Sequence, residues 1–134
     1  MSLQDTRSRQ CEDGGEGTPR PRYDHHRLDA YEVAVQFVTW RGGALQRLPK
    51  SADIADQLTR AATSIVLNIA EAAGEQSGPE RLRFFRMARR SATECDGILD
   101  VALALHLDRP EKIQEGRALL TRVLSMLAGL TRTR

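Results

Sequence analysis

Ser64-Ile65-Val66-Leu67-Asn68-Ile69-Ala70-Glu71, SIVLNIAE in one-letter form, places an asparagine and a glutamate inside an otherwise aliphatic run. Working outward, Ile54, Leu58, Ala61, Ile65, Asn68 and Ala72 recur at alternating steps of four and three, the spacing of one face of a helix. Ser51 suits the N-cap of that helix, and Asp53 puts a carboxylate in its first turn, where the helix dipole favours negative charge. Gly74 marks its expected end.

Beyond Gly74, Ser77-Gly78-Pro79-Glu80 has the form of a capping box with proline in the first turn. It opens a further helix with an expected seam of Phe84, Ala88, Ser91, Cys95, Ile98, Ala102 and Leu105. Asp108-Arg109-Pro110-Glu111 repeats the cap chemistry and opens a last helix with Ile113, Leu120, Val123, Leu127 and Leu130 inside. Leu119, Leu124 and Met126 widen its apolar arc and make it a candidate for burial by a partner.

Upstream, a first helix is expected from about His26 to about Arg47, because Pro49 biases Leu48 away from helical geometry. One of its stripes is Leu28, Tyr31, Val35, Val38, Gly42 and Leu45; a second is Val33, Phe37, Trp40 and Ala44. Together they exceed what one core face requires, so Val33, Phe37 and Trp40 stand as a candidate oligomer interface, with Trp40 in the core as the other reading. Short connections imply antiparallel neighbours. The expected fold is all-α: an antiparallel up-down-up-down four-helix bundle over residues 25–134, after a disordered N-terminal tail over residues 1–24, which mixes charges with glycine and proline.

Bulk composition agrees with one helical domain. Hydrophobic residues make up 40% of the 134 residues but aromatic ones only 4%, so a core of Leu, Ile, Val and Ala is required. The net charge of +2 does not by itself call for a polyanionic partner. Cys11 and Cys95 are far apart and in no metal-binding spacing, which fits a reducing cytoplasm. The N-terminus has no signal-peptide core and no apolar run reaches about 20 residues, so a soluble, cytoplasmic protein without membrane contact is expected.

No cofactor or metal site is expected. Bundle di-iron sites need Glu-x-x-His pairs, and no glutamate here has histidine three residues on; His25, His26 and His106 are scattered. No phosphate loop or nucleophile elbow is present either, so no catalytic residues are assigned and a non-enzymatic protein is expected.

Two stretches carry a family likeness: Gln57-Leu58-Thr59-Arg60-Ala61-Ala62-Thr63-Ser64-Ile65-Val66-Leu67-Asn68-Ile69-Ala70-Glu71, and Phe84-Phe85-Arg86-Met87-Ala88-Arg89-Arg90-Ser91-Ala92-Thr93-Glu94. With Leu48-Pro49 ahead of them, they resemble the four helix bundle protein family, also called the 23S ribosomal RNA intervening-sequence protein family, over about Leu28 to Leu130. The resemblance implies a small bundle that assembles as a homopentameric barrel. Some relatives are encoded within insertions in ribosomal RNA genes, and others are accessory proteins of diversity-generating retroelements that bind a reverse transcriptase and nucleic acid. The chain departs from the family pattern at Ala72 and Arg90, where glycine is usual.

Arg60, Ser64, Asn68 and Glu71 follow one another at steps of four, four and three and so form a polar strip beside the aliphatic seam, with Ser91 and Glu94 as counterparts on the next helix. An unpaired buried amide costs several kcal/mol, about 1–3 at least, so an interhelical network is expected in which Asn68 fixes register and Arg60 pairs with Glu71 or Glu94. A functional site is the alternative. Arg83, Arg86 and Arg90 share one helical face, flanked by Arg81 and Arg89, as a candidate surface for RNA or DNA phosphate. The competing reading is a solvated face or intersubunit salt bridges. The expected function is therefore a self-assembling scaffold or adaptor with itself and another protein as partners, or else a nucleic-acid-binding accessory protein.

Overall fold

A computed structural model describes residues 28–45 and 52–132 of the chain. The expected tail, the histidines at 25 and 26, Cys11, the Leu48-Pro49 stop and the Ser51 cap lie outside the described residues. Four helices follow one another: α1 (Asp29–Gly43), α2 (Ala52–Gly74), α3 (Gly78–Ala104) and α4 (Pro110–Leu130). Each packs on two neighbours, α1 on α2 and α4, and α3 on α2 and α4.

Side-chain contacts fix the directions. Arg89, early in α3, donates to Thr131 just after α4, while Arg117, early in α4, reaches Asp96 and Asp100 late in α3. Trp40, late in α1, donates its indole N–H to the Lys112 carbonyl early in α4 at 3.0 Å. Arg41, one residue on, reaches the Ala55 carbonyl at the start of α2. These pairings are those of an antiparallel up-down-up-down four-helix bundle.

The core is aliphatic, as composition requires, with Leu58, Ile65, Ile69, Leu99, Ile113 and Leu120 fully buried. On α2 the expected seam and the observed one agree at Leu58, Ala61, Ile65 and Ala72, but Ala55 and Ile69 carry the burial expected of Ile54 and Asn68, which are half-buried. On α3 the phase differs from expectation. Phe85, Ala92 and Leu99 join Ala88, Cys95 and Ala102 inside, whereas Phe84 is half-buried and Leu105 exposed.

The first helix corrects the interface expectation. Val33, Phe37 and Trp40 are 3%, 0% and 8% exposed within a single chain, so they form the core stripe of α1 and are not a surface for another copy. The physical reason is that α1 packs against both α2 and α4, which absorbs a wide apolar arc; Leu28, Tyr31 and Val38 line its edges. Trp40 stacks on Phe37 at 5.4 Å and lies over Gly116, where an added Cβ would stand 2.5 Å from the ring. Leu119, Leu124 and Met126 of α4 are half-buried and pack against the core.

Two ends differ from expectation. The first helix stops at Gly43, not near Arg47, because Leu45 turns into the left-handed region (φ 63) and gives its N–H to Asp108 Oδ2 at 2.9 Å. That same contact takes Asp108 away from the expected capping role at α4, whose N-cap is Arg109 with no side-chain cap bond. Ser77 does cap α3, accepting the Glu80 N–H at 3.3 Å. At the other end of α3, His106 (φ 54) sits in a Schellman turn, with Leu107 N–H on the Ala102 carbonyl and His106 N–H on the Leu103 carbonyl.

Candidate functional site

The polar strip of α2 meets α3 at a pair of serines. Ser64 Oγ lies 2.8 Å from Ser91 Oγ, and the Asn68 amide donates to the Ser64 carbonyl at 2.9 Å and to Ser64 Oγ at 3.0 Å. All three residues are half-buried, and no buried side-chain polar atom among the described residues lacks a partner. The interhelical network expected from spacing is therefore present, but its cross-helix link is the serine pair, while Asn68 bonds within its own helix and holds the Ser64 hydroxyl.

Arg60, Glu71 and Glu94 stand apart from it. All three are exposed, and none forms an ion pair among the described residues, so the expected pairing of Arg60 with Glu71 or Glu94 does not occur. At 100° per residue Arg60 and Glu71 lie further round α2 from Ile65 and Ile69 than Ser64 and Asn68 do, which takes them clear of α3. The hydroxyls of Ser64 and Ser91 bond one another and Ser64 Oγ also accepts from Asn68, with no imidazole or carboxylate among the described residues bonded to either. His106 is fifteen residues along α3 from Ser91, about 22 Å by helical rise.

The five arginines of α3 divide by their partners. Arg81 donates to the Glu75 carbonyl from two nitrogens, closing the α2–α3 link. Arg83 donates to Glu80 Oε1 at 3.1 and 2.9 Å, lies 4.6 Å above the Phe84 ring centre and contacts Met87 Sδ. That hydrogen bond and the Glu80 charge raise its pKa still further, so it stays charged. Arg89 donates to Thr131 Oγ1 at 3.3 Å and ties the end of α4 to α3. Arg86 and Arg90 are exposed, with no hydrogen bond or ion pair among the described residues, and point from the outer face of α3. Arg90 thus sits outside the helix packing.

Sequence reasoning missed the strongest ion cluster. Arg117 of α4 forks onto Asp96 at 2.5 Å and Asp100 at 2.6 Å of α3, with a side chain 23% exposed. Aspartates four residues apart facing an arginine on the next helix were the available signal. No group of three or more His, Cys, Asp and Glu residues able to hold a metal occurs among the described residues. No helix among them is long and apolar enough to cross a membrane.

Comparison with known proteins places this geometry. A solved structure from Bacteroides thetaiotaomicron VPI-5482, described as a protein of unknown function from the S23 ribosomal protein family, superposes with a TM-score of 0.70. It is 20% identical, and the alignment covers 78% of this chain and 99% of that one, so the likeness is one of fold. No curated protein matches the chain significantly. The model of the 23S rRNA-intervening sequence protein family matches residues 26–129, which takes in all four helices up to the last turn of α4. The chain belongs to the 23S rRNA-intervening sequence protein family.

Proposed function

We propose that the protein is a non-enzymatic, cytoplasmic scaffold or adaptor that works as a self-assembled ring, a homopentamer as the family resemblance implies. The observation that carries this reading is the placement of exposed apolar side chains. Of the five large hydrophobic residues exposed among the described residues, Leu67, Met87, Val101 and Leu105 all lie on α2 and α3 or the α3 cap. Leu67 is 58% and Met87 38% exposed, one on each helix beside the Ser64–Ser91 link. Leu67 and Met87, at nearly one level on adjacent helices, favour contact with another protein surface over contact with water, while Val101 stands about 21 Å further along α3. Leu67→Glu is the direct test by light scattering. Loss of assembled mass with an intact fold supports the reading, and an unchanged assembled mass counts against this face.

A second reading, binding of RNA or DNA, is favoured by the uncommitted guanidiniums of Arg86 and Arg90, one helical turn apart on α3. Phosphate contact predicts an affinity that falls with salt. Fluorescence anisotropy of labelled structured RNA and duplex DNA tests it, with the Arg86→Ala/Arg90→Ala variant expected to lose binding. No binding at low salt removes this reading.

A further inference from the structure

We infer that the second-copy contact pairs the outer face of α2 in one chain with the outer face of α3 in the next, through Arg60 to Glu94, Leu67 to Met87 and Glu71 to Arg86. This rests on the self-assembly reading above and adds to it the surfaces and the partners.

The Ser64–Ser91 contact sets the relative height of the two antiparallel helices within one chain. At about 1.5 Å per residue, Arg60 lies about 6 Å from that level along α2 and Glu94 about 4.5 Å in the same direction along α3. In the opposite direction Leu67 and Met87 lie at about 4.5 and 6 Å, and Glu71 and Arg86 at about 10.5 and 7.5 Å. Each α2 residue thus has, within side-chain reach of its own height, an α3 residue of complementary character.

Height matters because of symmetry. A ring that closes by rotation about an axis parallel to the bundle leaves every atom at its own height, so a head-to-tail contact brings together residues of one level from two different faces. Within one chain these charges do not meet: Arg60, Glu71, Glu94 and Arg86 are all exposed and none forms an ion pair among the described residues. Between two copies in register, opposite charges and apolar side chains fall together, whereas a slip of one turn sets Arg60 near Arg90 and a reversed direction sets it near Arg86. The occupant of this face is therefore a second copy of the chain, and the two charge pairs select its register. Arg86 is drawn into the contact, and Arg90, midway between Arg86 and Glu94 on the same row of α3, lies within it as well.

Charge reversal tests the pairing. Arg60→Glu and Glu94→Arg are each expected to raise the concentration for half-assembly by about tenfold or more, since each sets like charges opposite one another. The double variant is expected to recover assembly toward the wild-type value. Both positions are exposed, so each variant is checked for an unchanged circular dichroism melt. An assembled wild type with single variants of unchanged mass overturns the pairing while leaving self-assembly standing. Failure of the double variant to recover also overturns it. A monomeric wild type rejects the parent reading and this one together.

Discussion

Ser64 Oγ and Ser91 Oγ lie 2.8 Å apart across the α2–α3 seam, and the Asn68 amide holds the first of them at 3.0 Å. Ser64 is thus the shared partner of the other two. Ser64→Ala is expected to cost about 1–3 kcal/mol, because it leaves the Ser91 hydroxyl without its bond and removes one of two acceptors from Asn68. Ser91→Ala removes a single bond and should cost less, about 1 kcal/mol. Urea unfolding of both variants measures the order, and a Ser91 variant weaker than the Ser64 variant would reverse this assignment.

Gly116 is required by Trp40. The indole lies where a Cβ would come within 2.6 Å of three ring atoms, and its N–H is held by the Lys112 carbonyl, which fixes the ring against retreat. Gly116→Ala is therefore expected to destabilise the bundle by about 1–3 kcal/mol, through overpacking that outweighs the better helix propensity of alanine. Denaturant unfolding followed by Trp40 fluorescence reads both the loss and any movement of the ring.

His106 occupies a left-handed position (φ 54) at the end of α3 with its side chain exposed. A residue with a Cβ is strained there by roughly 1 kcal/mol, and the Schellman bonds are made by backbone alone. His106→Gly should raise stability by about that amount. A melting temperature that falls on this substitution would contradict the reading of the turn.

Cys95 is fully buried, and burial pushes its thiol up to about 12, with Glu94 and Asp96 adding to the rise. The folded chain therefore retains the proton that the unfolded chain releases above its ordinary 9.0, so this contribution to stability is complete below that pH and is lost as pH climbs toward about 12. In a Cys11→Ser background the remaining thiol should resist DTNB at pH 8 and react on unfolding. Rapid reaction of the native protein would show that the α3 seam opens.

The fold was largely legible, because capping chemistry and the steps of three and four locate helices without tertiary information. Phase was harder. Phe84 and Phe85 are adjacent, and only the packing of Ala88, Ala92 and Leu99 against α2 and α4 selects the second. On α1 two apolar stripes compete, and the stripe read as an interface proved to be the core because that helix touches two neighbours. In the polar strip, spacing identified Ser64, Asn68 and Ser91 as partners, but it does not say how far round the helix a residue lies from its neighbour. That distance decides why Arg60 and Glu71 reach solvent. The role of Asp108 was hidden for a different reason: a carboxylate before a proline reads as a cap, and its reach to Leu45 depends on how α1 ends.

Self-assembly is the claim on which the functional account stands, and the mass of the wild-type protein in solution tests it most directly. Sedimentation velocity at micromolar concentration should give a single species of about five chain masses, as the ring reading requires. A species of one chain mass across the accessible concentrations would contradict it, and with it the role assigned to the outer faces of α2 and α3.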